Sequence, residues 1–156
     1  MNFLDWIYSF KFYGTELFDH LKGWDDEIMD YNSAYYQFLS IFGSIFLTAL
    51  VIFICYYYIG NNPRFNRWWN WLIELVLVFI FTGWWGYHVV AVDIQNGTIA
   101  SSIADKISYN NAIFFGLYNA ILASIIFILL TMLFRHWSKN CKHSPYTSIF
   151  TKMKKQ

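Results

Sequence analysis

The run from Phe38 to Ile59, FLSIFGSIFLTALVIFICYYYI, decides the fold. It carries no charge. As a helix rising about 1.5 Å per residue it reaches about 33 Å, enough to cross a hydrocarbon core of about 30 Å. Two further runs share this character. One covers about 71–92 and contains Glu74 and His88; the other covers about 112–134 and is uncharged. The expected fold class is an all-α membrane protein: three transmembrane helices preceded by a short amphipathic helical N-terminal region. Three segments follow from this. Residues 1–33 form an extracytoplasmic acidic segment, 34–137 the transmembrane domain, and 138–156 a basic cytoplasmic tail.

Composition supports the assignment. Of the 156 residues, 57% are hydrophobic, 23% aromatic and only 13% charged. Soluble domains average about 25% charged residues, and a chain of this size has too much surface to cover with half that number. The net charge of +1 gives no basic face for nucleic acid. Cys55 and Cys141 are far apart and do not make a disulfide scaffold.

Charge is distributed unevenly around the spans. Residues 1–33 hold seven acids and two lysines. The connection between the first two spans carries Arg64 and Arg67, and the C-terminal tail carries Arg135, Lys139, Lys142, Lys152, Lys154 and Lys155 without an acid. The connection between the last two spans has one lysine, Lys106. Basic residues thus favour one side of the membrane by eight to three. The positive-inside rule then places the N-terminus outside and the C-terminus in the cytoplasm, in a bacterial inner membrane. Aromatic belts fit the same frame: Tyr35, Tyr36 and Tyr56–Tyr58 bracket the first span, and Trp68, Trp69, Trp71 and Trp137 mark inner ends. Lysines outnumber arginines and codon-AT-rich residues dominate, which suits a bacterium, a phage or an organelle with an AT-rich genome.

Helical periodicity puts Phe3, Trp6, Ile7 and Phe10 on one side of a short N-terminal helix, with Asp5 and Ser9 opposite. Thr15 is placed to cap a second helix carrying Leu17, Phe18 and Leu21. Such helices lie on the membrane surface or against a partner, and the acidic polar face favours a protein partner. Asn96-Gly97 between Ile94 and Ile99 signals a hairpin turn, and Ser102 with Asp105 signals a helix cap.

Small residues recur every fourth position. The third span has Ala112, Gly116, Ala120 and Ser124; the first has Ser40, Ser44 and Thr48 beside Gly43; the second has Gly83 and Gly86. Such stripes let helix backbones approach closely, within one chain or between copies and other subunits.

Glu74 is costly inside a span. It reads either as a structural acid paired with Arg67 or Arg135, or as an ion or proton site. His88 reads as an interface residue rather than a metal ligand. Asn119 reads as an interhelical hydrogen-bonding group or as pore lining. The acidic run Asp25-Asp26-Glu27 with Asp30 lacks the spacing of a calcium loop and reads as a solvated face. No catalytic constellation, cofactor motif or metal-ligand spacing is visible.

The three-span, N-out, basic-tailed topology resembles that of one class of phage holins, a likeness of topology and lysine-rich tail alone. The functional expectation is a non-enzymatic membrane subunit of a secretion- or transport-type assembly. Its partners would be the lipid bilayer and other membrane subunits or copies of itself, with no nucleic acid and no cofactor. The alternative, which the holin likeness implies, is a homo-oligomeric channel or pore, holin-like or a membrane-disrupting defence effector.

Overall fold

The computed structural model describes residues 3–10, 12–59 and 68–134. The basic residues Arg64, Arg67, Arg135, Lys139 and Lys142 lie outside the described residues, as does Trp137. Three helices are long and apolar enough to cross a membrane. α3 (Phe38–Ile54) continues through a π-helical turn at Cys55–Ile59, and α4 (Trp68–Asn96) and α6 (Tyr109–Phe134) follow. Before them come α1 (Phe3–Ile7), α2 (Thr15–Lys22), a two-stranded hairpin of β1 (Trp24–Asp25) and β2 (Asp30–Tyr31), and one 3-10 turn at Ser33–Tyr35. The short α5 (Ser101–Ala104) leads into α6.

The chain divides into two units. The first comprises Met1–Ile45 and Thr82–Ala120, the second Phe46–Phe81 and Ile121–Gln156. In the first unit the buried stripe of α3 is Phe38, Ile41 and Ile45, spaced three and four apart. The bulky residues therefore face inward, while Ser40 and Gly43 stay exposed. Of the two uses open to the small face of the first span, the described residues do not place Gly43 against the chain itself. In α6 the small residues do face inward: Ala112, Gly116 and Ala120 are buried.

In the second unit Phe53, Tyr57, Val78, Phe127 and Leu130 are buried. The Trp71 indole donates to the Thr131 hydroxyl at 3.3 Å, and the Tyr58 hydroxyl donates to the Phe134 carbonyl at 3.2 Å. Tyr56 and Tyr57 are buried here rather than turned toward headgroups, and only Tyr58 of the three is exposed.

Several local signals resolve differently from their first reading. Gly97 does not turn a hairpin. It sits at φ 64° and ends α4: its N–H donates to the Ile94 carbonyl, and the Thr98 N–H donates to the Asp93 carbonyl. That is the paired-bond helix stop that a left-handed glycine permits. The hairpin instead forms in the acidic run, with Trp24 opposite Tyr31 and Asp25 opposite Asp30. Thr15 opens α2 without capping it, and the residue at the cap position is Gly14. Ser102 does not cap α5; its hydroxyl is directed to Asp26.

In α1 the two faces are sharply sorted. Asp5 and Tyr8 are buried, at 6% and 0% exposure, while Phe3, Trp6 and Phe10 are exposed at 69%, 60% and 68%. The helix turns its polar-bearing side to its own chain and its aromatic side outward. Hydrogen bonds decide this choice: buried tyrosine and aspartate find partners on α6 and beside α3, and an outward aromatic face needs none.

Candidate functional site

Two polar layers stand out in the first unit. The upper layer surrounds Asp93, near the C-terminal end of α4. One carboxylate oxygen of Asp93 lies 2.9 Å from His20 Nε2 and accepts from the Gln37 amide at 3.0 Å. The backbone N–H of Gln37 donates to the Leu21 carbonyl at 2.9 Å. Asp93 thereby ties α2, the entry to α3 and the end of α4 together. His20 reaches it because it stands beside Leu17, Phe18 and Leu21 on the buried side of α2.

Above this pair the hairpin holds the α4–α5 connection. Asp26 accepts from the Trp24 indole at 3.0 Å, from the Ser101 hydroxyl at 3.0 Å, and from the Ser102 N–H at 3.0 Å and hydroxyl. Those donors hold its carboxyl down at about 2, the Ser102 hydroxyl contributing most. On the other side of the hairpin the Tyr31 hydroxyl donates to Asp19 at 2.9 Å, and the Lys22 ammonium stands 4.1 Å from the Tyr31 ring centre. Burial first, and then Asp19, raise the Tyr31 phenol to about 12.

These elements enclose a cavity of about 690 Å³, lined by His20, Trp24, Asp25, Asp26, Gln37 and Asp93 among others. Three carboxylates, Asp25, Asp26 and Asp93, stand in its wall, which favours cationic groups over anions. The His20 ring is engaged with Asp93. No group of three potential metal ligands occurs among the described residues.

The lower layer is built on Asn119. Its side-chain oxygen accepts from the Tyr8 hydroxyl at 2.9 Å, and its amide donates to the Phe115 carbonyl at 3.1 Å. The Tyr8 ring stacks on Phe38 with centres 4.5 Å apart. Gly86 and Gly116 adjoin Asn119: a Cβ added at Gly86 would meet its amide nitrogen at 2.7 Å and the Gly116 Cα at 3.2 Å. Gly83 faces Ala120 and Gly116 in the same way.

No family model, curated protein or solved structure matches this chain.

Of the residues singled out in the sequence, Asn119, Gly83, Gly86, Gly116 and Ala120 are brought together as one close contact between α4 and α6. Ser124 lies half-buried in the second unit, as does Thr48 on α3, and Ser44 in the first unit donates its hydroxyl to the Ser40 carbonyl at 2.9 Å. His88 is exposed beside the rings of Trp84 and Trp85, 5.2 and 6.3 Å away. Glu74 belongs to the second unit and is half-buried, with no ion pair or hydrogen bond among the described residues. Sequence reasoning missed His20, Gln37 and Asp93. The available signal was a histidine at the edge of the apolar face of α2, and an aspartate just past the second apolar run.

The Asp26 cluster makes a pH-dependent tie. Its carboxyl is ordinarily near 3.8 and lies near 2 here, so it contributes stability fully above pH 4. That contribution is lost as pH falls through about 2. Amide exchange at Ser102 should therefore accelerate between pH 4 and 2 beyond its intrinsic pH trend. Asp26→Asn should show fast exchange across the range with no such step.

Proposed function

We propose that this chain is a non-enzymatic integral membrane subunit that packs into and anchors a larger membrane assembly of secretion or transport type. One observation carries the reading. The glycines of α4 and α6 are used within the chain, whereas a Cβ added at Gly43 of α3 meets nothing within 4 Å. Gly43 lies with exposed Ser40 and Leu39 on a smooth, open strip of an apolar helix. A lipid-facing helix gains nothing from small residues, while a helix-binding face gains close van der Waals packing. The acidic cap, with its carboxylate-lined cavity, suits a basic segment of a second partner. The charge asymmetry of the sequence supports an N-out, C-in orientation in a bacterial inner membrane.

Cysteine cross-linking tests the reading. With Cys55 and Cys141 replaced by serine, Gly43→Cys in native membranes should give a defined cross-linked product with a bifunctional thiol reagent. A cysteine at Ile80, an exposed bulky position of α4, should give none. Equal or absent products at both positions would remove the basis for an assembly face.

The half-buried Glu74 supports the second reading, a channel or pore in which its carboxylate attracts cations. Planar-bilayer recordings distinguish the two. The subunit reading expects no conductance above background in the purified parent. A cation-selective current lost in Glu74→Gln would establish the channel.

A further inference from the structure

We propose that the described N-terminal residues 3–10 and 12 form a membrane wedge: the exposed aromatic face of Phe3, Trp6, Phe10 and Phe12 is seated in the hydrocarbon of one leaflet. The occupant of this face is lipid acyl chain rather than a protein partner. The inference rests on the three long helices crossing a membrane and is independent of the assembly reading.

Depth is the first argument. The apolar run of α6 begins at Ala112, after Ser108, Asn110 and Asn111. The ring of Phe12 packs 6.1 Å from Phe114 and 5.7 Å from Tyr118, and the Tyr118 hydroxyl donates to the Ile7 carbonyl. At 1.5 Å per residue these contacts stand about 3–9 Å inside the first apolar residue of α6. An interfacial helix seats its apolar face about 5–10 Å into the headgroup–acyl boundary, the same level.

Backbone satisfaction is the second. An irregular chain at that depth has no water to bond its peptide groups, so the protein must supply partners. Here side chains do so. Besides the Ile7 carbonyl, the Tyr8 carbonyl accepts from the Tyr13 hydroxyl at 2.7 Å, and the Tyr13 carbonyl accepts from the Asn111 amide at 2.8 Å. The Trp6 carbonyl accepts from the Ser9 hydroxyl at 2.6 Å. A segment lying in water would need none of these.

Continuity and charge are the third. Ile113, Phe114 and Leu117 are exposed apolar residues of the membrane-crossing α6, and the wedge extends that band. The acid of α1, Asp5, is turned inward, where it accepts from the Tyr36 hydroxyl at 2.9 Å. A basic protein partner would seek that charge on the outer face, and the outer face does not offer it.

The test uses the full chain with Cys55 and Cys141 replaced by serine, carrying a single cysteine at Phe10, Leu117 or Met29 labelled with an environment-sensitive fluorophore. Each is reconstituted in phosphatidylcholine vesicles. Quenching is measured with aqueous iodide and with lipids spin-labelled near the headgroup end of the acyl chain. The label at position 10 should match that at Leu117: strong lipid quenching, and iodide quenching at least about threefold weaker than at Met29 on the acidic hairpin. Iodide quenching at position 10 equal to that at Met29 overturns the proposal in favour of an aqueous surface. Protection from both quenchers overturns it in favour of a protein contact. Failure of lipid quenching at Leu117 itself would instead show that the span assignment is wrong.

Discussion

Gly116→Ile should abolish the folded protein. A Cβ at this position would stand 2.5 Å from the Gly83 carbonyl oxygen, 3.1 Å from the Tyr87 amide nitrogen and 3.2 Å from the Tyr87 Cβ. Two of these three atoms are backbone, which cannot swing aside as a side-chain tip would. Overpacking a core where rotamers can yield costs about 1–3 kcal/mol. Here α4 and α6 must separate, and the Asn119 contacts beside Gly86 are lost with them. Gly116→Ala should already lower the thermal midpoint in detergent, and isoleucine should leave no cooperative transition. Gly43→Ile offers the control: it adds larger bulk where nothing stands within 4 Å, so its own midpoint should stay near that of the parent. Similar midpoints for the two isoleucine variants would show that the close α4–α6 contact is misassigned.

Tyr8→Ala should release the N-terminal segment. The Tyr8 side chain is wholly buried, with its ring against Phe38, Phe115 and Tyr118 and its hydroxyl on Asn119. Truncating a buried aromatic to alanine costs about 3–5 kcal/mol. Tyr8→Phe keeps the ring and leaves the Asn119 oxygen without its donor, at about 1–3 kcal/mol. Limited proteolysis after Lys22 reads both effects. The alanine variant should be cleaved rapidly, the phenylalanine variant at an intermediate rate, and the parent slowly. Equal cleavage of all three would mean that Tyr8 does not anchor the segment.

The same residues show what could be read from the sequence. The three membrane-crossing helices were legible because an apolar run of over twenty residues with at most one acid has few other folded states. The ends of α4 extend beyond its apolar run: it begins at Trp68 and continues to Asn96, because tryptophan and terminal polar residues continue a helix as well as valine does. The side that α1 would bury was not legible. Periodicity gives the two faces of a helix, and in lipid the apolar face has no preference for protein. The polar face decided the matter through Tyr8 and Asp5, and their partners Asn119 and Tyr36 lie 111 and 31 residues away. His20 and Asp93 were hidden for the same reason, being 73 residues apart. Gly97 misled because a left-handed glycine serves a helix stop and a hairpin equally, and the choice depends on whether the preceding residues are already helical. The small residues of the spans were legible as packing positions. Which stripe served the chain itself and which remained open was decided by the bulky inward stripe of α3.

The proposed role in an assembly rests on the open face at Gly43. Native mass measurement on particles extracted directly from membranes with a lipid-solubilising polymer tests it without detergent. The parent chain should appear in particles of protein mass well above its own 18.6 kDa. Gly43→Ile, which should fold normally, should shift to particles carrying the single chain. A parent found only as the single chain, or a Gly43→Ile profile identical to a larger parent complex, would contradict the account.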